Sequence, residues 1–388
     1  MLLENITIKN FRSLRDISLD LAKINIIYGP ASSGKSSILY APLVIKNFVI
    51  NPSVQRDSLF DLRFIHLMGF EECVFNRDKE STITIGFTYN QERGYTVQFA
   101  EDEVTVVLKI NNEEFEVSSP YPMQLNRTVL IDEEDNVVWN GINAFQSGHL
   151  SGAAHNRQNA QDLIKEINSI AENIKKIDII PIRRGFFKPI YNPINVGSLA
   201  YNEDEVASLI MKDQYLSDTI SVYLEEIINY SFSLYSPSGA SNAYLKVTDR
   251  KNKFPANLVN AGFGLSQLVY MLAKILLPQN KLILIEEPEI HLHPELIHKL
   301  AKAFVSIMNN EQKQFIIVTH SEVFISSLLS LVAQKVLEPQ DLKIIFAKKD
   351  NKETIIEVQK VSDKGQVEGG LKTFIDVQLE QVKYLLNA

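Results

Sequence analysis

Apolar and polar residues alternate along residues 3–8 and again along 17–21, with the polar turn Asn10-Phe11-Arg12-Ser13 between them, which predicts a β-hairpin. A β-branched run containing Ile24, Ile26 and Ile27 follows as a strand, and residues 37–49 carry a helical pattern that Asn51-Pro52 ends. From Ser81 to about Trp139 the short alternating runs STITIGFTY, YTVQFA, EVTVVLKI, FEVSS and TVLIDE are separated by Asn, Asp, Glu and Gly. Such runs predict an antiparallel sheet. Residues 140–158 are rich in Gly, Ser, Asn and His and read as a loop, 160–176 as a helix and 177–182 as a strand. Residues 204–230 suit two helices, 236–240 a turn and 244–247 a strand. After Asn252 the texture is α/β: an apolar helix (LVYMLAKILL), a fully apolar strand (LILIE), a helix over 295–308 and a buried strand over 314–318.

The pattern predicts an α/β fold, a mixed sheet with an antiparallel β lobe, divided as 1–140, an inserted mostly helical 141–254, and 255–388. At 388 residues, 45% hydrophobic and 22% charged, the chain can bury a full core. A net charge of −8 argues against a protein coated in basic residues, so any nucleic-acid contact must come from a local patch or a partner. The single cysteine, Cys73, forbids internal disulfides and C-x-x-C metal sites, and reads as a small core residue. The start MLLENITIKNF lacks a basic region followed by an apolar one, and no stretch approaches about 18 uninterrupted apolar residues. The expectation is a cytoplasmic protein with no membrane partner.

Candidate chemistry centres on Gly29-Pro30-Ala31-Ser32-Ser33-Gly34-Lys35-Ser36, which fills the G-x-x-x-x-G-K-[ST] template between a strand and a helix. Gly29 and Gly34 permit backbone conformations that a Cβ forbids, so successive N–H groups can curl around a phosphate that also faces the positive end of the next helix. Lys35 supplies a point charge for the outer phosphates and Ser36 a hydroxyl for Mg²⁺. The strand LILIE delivers Glu286 and Glu287 at its carboxyl end, where ligands of open parallel sheets bind. There they read as the acid of a Mg²⁺ site and the residue that polarises water. The next apolar strand ends in Thr319-His320-Ser321, and His320 can hydrogen-bond a terminal phosphate or cap the following helix. Arg12 and Ser13 either touch nucleotide or form a solvated turn.

Other groups admit weaker readings. Arg183, Arg184 and Lys188 interleave with Phe186, Phe187 and Tyr191, which suits either a phosphate or nucleic-acid contact or a junction turn with core aromatics. His66 suits a buried imidazole, and His149 and His155 suit a solvated loop rather than a metal site. His291 and His293 could bind zinc with Glu289 or His298, although the turn is already needed to position the strand.

Together GPASSGKS, GFGLSQ, ILIEEPEIHLHP and VTHS, in this order after the ITIKNFRSL hairpin, resemble the ABC-type ATPase heads of the SMC/RecF/OLD branch. The resemblance covers about 1–75 and 255–350. It implies a P-loop ATPase head in which Ser32, Ser33, Gly34, Lys35, Ser36 and Ser37 cradle the phosphates of ATP. It also implies that Ser36 and Glu286 hold Mg²⁺, Glu287 orients water and His320 senses the γ-phosphate. Gly262, Gly264 and Ser266 would act in trans on nucleotide held by a second head, giving an ATP-sandwiched homodimer.

The implied process is DNA metabolism or anti-phage defence, with DNA and a nuclease or toxin as partner classes. The signature reads GFGLSQ rather than LSGGQ, which points away from transporter motors, and no glutamine lies between Gln55 and Gln91 to serve as the one such heads place after the first helix. Sustained heptads and a cysteine pair for a zinc hook are absent, and no D-x-D of a Toprim nuclease follows His320. The rival reading is a slow-cycling ATP-binding scaffold.

Overall fold

The structure is a computed structural model that describes residues 2–90, 92–147, 154–197, 200–238 and 241–372, with side chains from 159 onward in the helix that opens at Ala154. In chain order the elements are β1 (Asn5–Phe11), β2 (Leu14–Asp20), β3 (Ile24–Tyr28), α1 (Lys35–Ile50), α2 (Phe70–Cys73), β4 (Ile83–Asn90), β5 (Arg93–Phe99), β6 (Glu103–Ile110) and β7 (Glu113–Pro120). There follow β8 (Val129–Asp132), β9 (Val137–Trp139), β10 (Ala144–Gln146), α3 (Ala154–Lys175), β11 (Ile177–Ile180), α4 (Glu203–Lys212) and α5 (Gln214–Ile228). The rest of the chain forms β12 (Tyr230–Tyr235), β13 (Tyr244–Asp249), β14 (Phe254–Asn257), α6 (Phe263–Leu276), β15 (Leu282–Glu286), α7 (Pro294–Asn310), β16 (Gln314–Val318), α8 (Glu322–Ala333), β17 (Leu342–Asp350) and β18 (Glu353–Gln359).

The described residues of these elements group into two compact units: those before Ala22 with Ser32–Ile177 and Ala347–Ile356, and Ala22–Ala31 with Asp178–Phe346 and residues 357–372. The segment 141–254 is shared between the two units. Its first part joins the first unit because α3 buries Ile167, Ile170, Ala171 and Ile174 and packs on α1. Its second part joins the other unit because Val206, Ile210, Ile220 and Leu224 of α4 and α5 share one core with Leu268 and Leu272 of α6. His149 and the side chain of His155 lie outside the described residues.

In the first unit the order β2-β1-β4-β5-β6-β7 makes a six-stranded sheet, antiparallel at every pairing. The alternation of β4 to β6 turns Ile83, Ile85, Phe87, Val97, Phe99, Val104 and Val106 inward, and Phe48 of α1 meets Phe99 edge to face at 5.9 Å. The hairpin turn is tighter than the sequence suggests: Phe11 still pairs with Leu14, and Arg12, at φ +55°, makes the corner with Ser13.

In the second unit the sheet order is β11-β15-β16-β3-β17-β18. Strands β3, β15 and β16 are buried along their whole length, as parallel strands covered on both faces must be. Their pairings are parallel, and the register aligns Glu286 with Val318 and Val318 with Ile27. Three carboxyl ends thus meet at one sheet edge, leading into Gly29, Glu287 and Thr319.

Candidate functional site

The loop after β3 bends through positive φ at Gly29 (146°), Ser32 (60°) and Gly34 (89°). Gly34 is the N-cap of α1 and contributes no side-chain cap, and no acidic residue occupies the first turn, so the positive end of the helix faces the loop unopposed by a carboxylate of its own. In the first unit the Thr354 hydroxyl donates to the Ser33 carbonyl at 3.0 Å and lies 2.8 Å from the Ser13 hydroxyl. A Cβ at Gly34 would come within 2.1 Å of Thr354 Oγ1 and 2.6 Å of Ser13 Oγ, so glycine is required there by contact as well as by φ. Lys35 is buried with Nζ 3.4 Å from Ser33 Oγ, Ser36 is half-buried, and the Ser37 N–H donates to the Gly34 carbonyl at 3.0 Å. Arg12 is exposed and sits over the Tyr40 ring of α1 at 6.0 Å, while Ser13 braces the loop from behind.

At the end of β15 the two adjacent glutamates part. Glu286 is 7% exposed and its Oε2 accepts from the Ile182 N–H at 3.2 Å. Glu287 takes a left-handed φ of 43°, its N–H donates to the Val318 carbonyl at 2.8 Å, and its Oε1 lies 3.9 Å from His320 Nε2. The backbone twist turns the second carboxylate out toward His320 while the first stays inside. Glu289 locks the turn: its Oε1 accepts from the Thr319 hydroxyl at 2.6 Å and the His320 N–H at 3.3 Å, and burial holds its carboxyl above the usual glutamate range.

Of the two readings open for the segment 183–191, Arg184 takes the inward one, together with the buried rings of Phe186 and Tyr191. Instead of lying on a basic surface it is 3% exposed, with Nη1 donating to the Glu286 carbonyl at 2.6 Å and the Pro181 carbonyl at 3.1 Å, and Nη2 to the Glu287 carbonyl at 2.5 Å. Burial pulls its pKa down to about 10, against the pull of Glu289, Glu286 and Glu287. Arg183 and Lys188 are both exposed, and Lys188 is paired with Asp204. The available signal was positional: Arg184 follows the apolar run of β11, as Glu287 follows that of β15.

The GFGLSQ segment opens α6. Gly262 caps α6 at φ 101° and is exposed, and Gly264 allows close approach, since a Cβ would meet the His291 carbonyl at 2.6 Å. Ser266, however, is 3% exposed, and its hydroxyl donates to the Phe186 carbonyl at 2.8 Å and accepts from the Phe186 N–H at 2.7 Å. Within its own chain this pair of bonds makes Ser266 a strut between the start of α6 and the segment after β11. The zinc reading of the H-x-H pair gives way to other uses: His291 Nδ1 lies 3.0 Å from Gln267 Oε1, and His293 caps α7.

The residues fit a bound nucleotide with Mg²⁺ by the chemistry of their donors: backbone N–H groups, an ammonium and a helix terminus for phosphate, and a carboxylate and a hydroxyl, both hard oxygens, for the cation. Among the described residues no helix is long and apolar enough to cross a membrane.

Comparison with known proteins agrees with the motif pattern. The chain is 23% identical over 345 residues, 83% of its length, to an OLD nuclease of Thermus scotoductus, and spans 60% of that relative's length. Among solved structures it is similar to the SMC head domain from Thermotoga maritima (11% identity, TM-score 0.46, covering 92% of this chain and 98% of that one). It is likewise similar to an Smc head with an extended coiled coil bound to the C-terminal domain of ScpA, derived from Pyrococcus furiosus (11% identity, TM-score 0.48, covering 98% and 99%). The model of the AAA ATPase domain matches residues 1–325, and the chain belongs to that family of ATPases.

Proposed function

We propose that this chain binds ATP with Mg²⁺ and hydrolyses it, and that nucleotide drives closure of two heads into a dimer. The observation that carries the reading is the register of β15, β16 and β3, by which the phosphate loop, the two glutamates and His320 all leave the carboxyl edge of one parallel sheet. In this reading the backbone of residues 29–37 and Lys35 bind the phosphates, Ser36 and Glu286 hold the cation, Glu287 orients the attacking water, and His320 hydrogen-bonds the terminal phosphate. The cation, when bound, neutralises charge on the outer phosphates. Arg12 lies over α1 and lends positive charge to the nucleotide. The output is conformational, in DNA metabolism or anti-phage defence, with DNA and a nuclease or toxin as partners.

Two variants test it. Lys35→Ala removes the fixed cation of the loop and is expected to abolish ATP binding in calorimetry. Glu287→Gln is expected to bind ATP as the wild type does and to hydrolyse it at least about a hundredfold more slowly, the loss typical of a water-orienting carboxylate. Unchanged ATP affinity in Lys35→Ala, or wild-type turnover in Glu287→Gln, would remove the assignment.

A further inference from the structure

Beside Arg184, wholly within the second unit, lies a cavity of about 640 Å³, a volume typical of small-molecule sites. Five rings line it: Phe187, Tyr201, Phe263, Tyr270 and His291. Phe187 and Phe263 stack at 5.5 Å yet remain 50% and 49% exposed, and His291 stands edge-on to Phe263 at 4.8 Å. Aromatic faces left open at the mouth of a pocket form a surface for another ring.

The polar groups narrow the class. Gln267 Oε1 can only accept, so His291 Nδ1 donates to it across 3.0 Å, which leaves Nε2 of the neutral ring as an acceptor and the Gln267 amide N–H groups as donors. Arg183 adds donors, and Glu203, whose Oε2 accepts from the Phe187 N–H and the Tyr191 hydroxyl at 2.5 Å each, adds negative charge. An aliphatic chain would desolvate these groups without replacing their hydrogen bonds, and a polyanion would meet the Glu203 carboxylate. A flat ring edged with both donors and acceptors satisfies walls and polar groups together.

We propose that this cavity is a binding site for a planar heteroaromatic ring of the nucleobase class, formed without any phosphate-loop residue. Its occupant would touch Arg184, the residue that holds the carbonyls of Glu286 and Glu287.

The test uses the full chain carrying Lys35→Ala, so that the phosphate loop does not contribute, with adenosine, guanosine, cytidine and thymidine as probes in saturation-transfer NMR. At least one nucleoside is expected to bind with a dissociation constant of about 1 mM or below. Phe263→Ala in the same background should weaken it about tenfold, as loss of one stacking face does. In wild-type protein, hydrogen exchange of segments 182–187 and 284–291 should slow on saturation with that nucleoside. No transfer to any of the four, a signal that Phe263→Ala and Phe187→Ala both leave unchanged, or protection confined to other segments overturns the proposal. The phosphate-loop reading is judged separately, by ATP affinity.

Discussion

Arg184 is held at 3% exposure, and its two terminal nitrogens fasten the carbonyls of consecutive glutamates. Truncation to Ala would leave those carbonyls buried without their donors, which costs about 3 kcal/mol. Urea denaturation followed by circular dichroism should show that loss, and Arg184→Lys should recover only part of it, because an ammonium lacks the planar fork that spans both oxygens. A midpoint equal to that of the wild type in Arg184→Ala would contradict the strut. Thr354 gives a milder case. Thr354→Val removes the hydroxyl that bonds the Ser33 carbonyl while keeping the shape, and should weaken ATP binding severalfold by loosening the loop, with little change in overall stability. Equal affinity in calorimetry would make that hydrogen bond incidental.

At the level of elements, what could be read from the sequence was what neighbouring residues decide among themselves. The apolar runs of β3, β15 and β16, the alternation of β4 to β7 and the split of residues 204–230 into two helices at Asp213 all follow from local pattern. Residues whose roles depend on distant partners were not legible: Thr354 reaches Ser33 across 321 positions, and Ser266 meets Phe186 across 80. The same separation hid the support beneath the sheet, where Lys313, just before β16, is 2% exposed and donates to the carbonyls of Leu277 and Asn280 at 2.7 and 2.6 Å. Burial, aided by Lys281, pulls its pKa down to about 8. Between pH 8 and the ordinary lysine range the unfolded chain therefore binds the proton that the folded chain has lost, so this group makes stability rise with pH, by at most about 1.4 kcal/mol per unit. Lys313→Met should lose that increment when denaturation midpoints are compared at pH 7.5 and 9.5, and an identical pH dependence in the two proteins would refute it.

At the scale of the whole molecule the question is what nucleotide does to two copies of the chain. The net charge of −8 makes close approach of two heads repulsive, most so at low salt, so a closed pair needs favourable contacts through bound ATP that outweigh this repulsion and that empty heads lack. Hydrolysis would return each pair to that repulsive state, and the wild type at steady state should be mostly monomeric. Glu287→Gln stops the cycle while Ser36 and Glu286 keep their oxygens for the cation, so bound ATP should act as a lasting bridge. Multi-angle light scattering of this variant should give close to 88 kDa with ATP and Mg²⁺, twice the 44.0 kDa of one chain, and the monomer mass without nucleotide or with Lys35→Ala added in the same chain. Raising the salt concentration should favour the ATP-bound dimer rather than dissolve it if like charge is the main opposing force. A Glu287→Gln protein that binds ATP and stays monomeric at every salt concentration would separate the two halves of the proposal, leaving an ATPase that works without head closure.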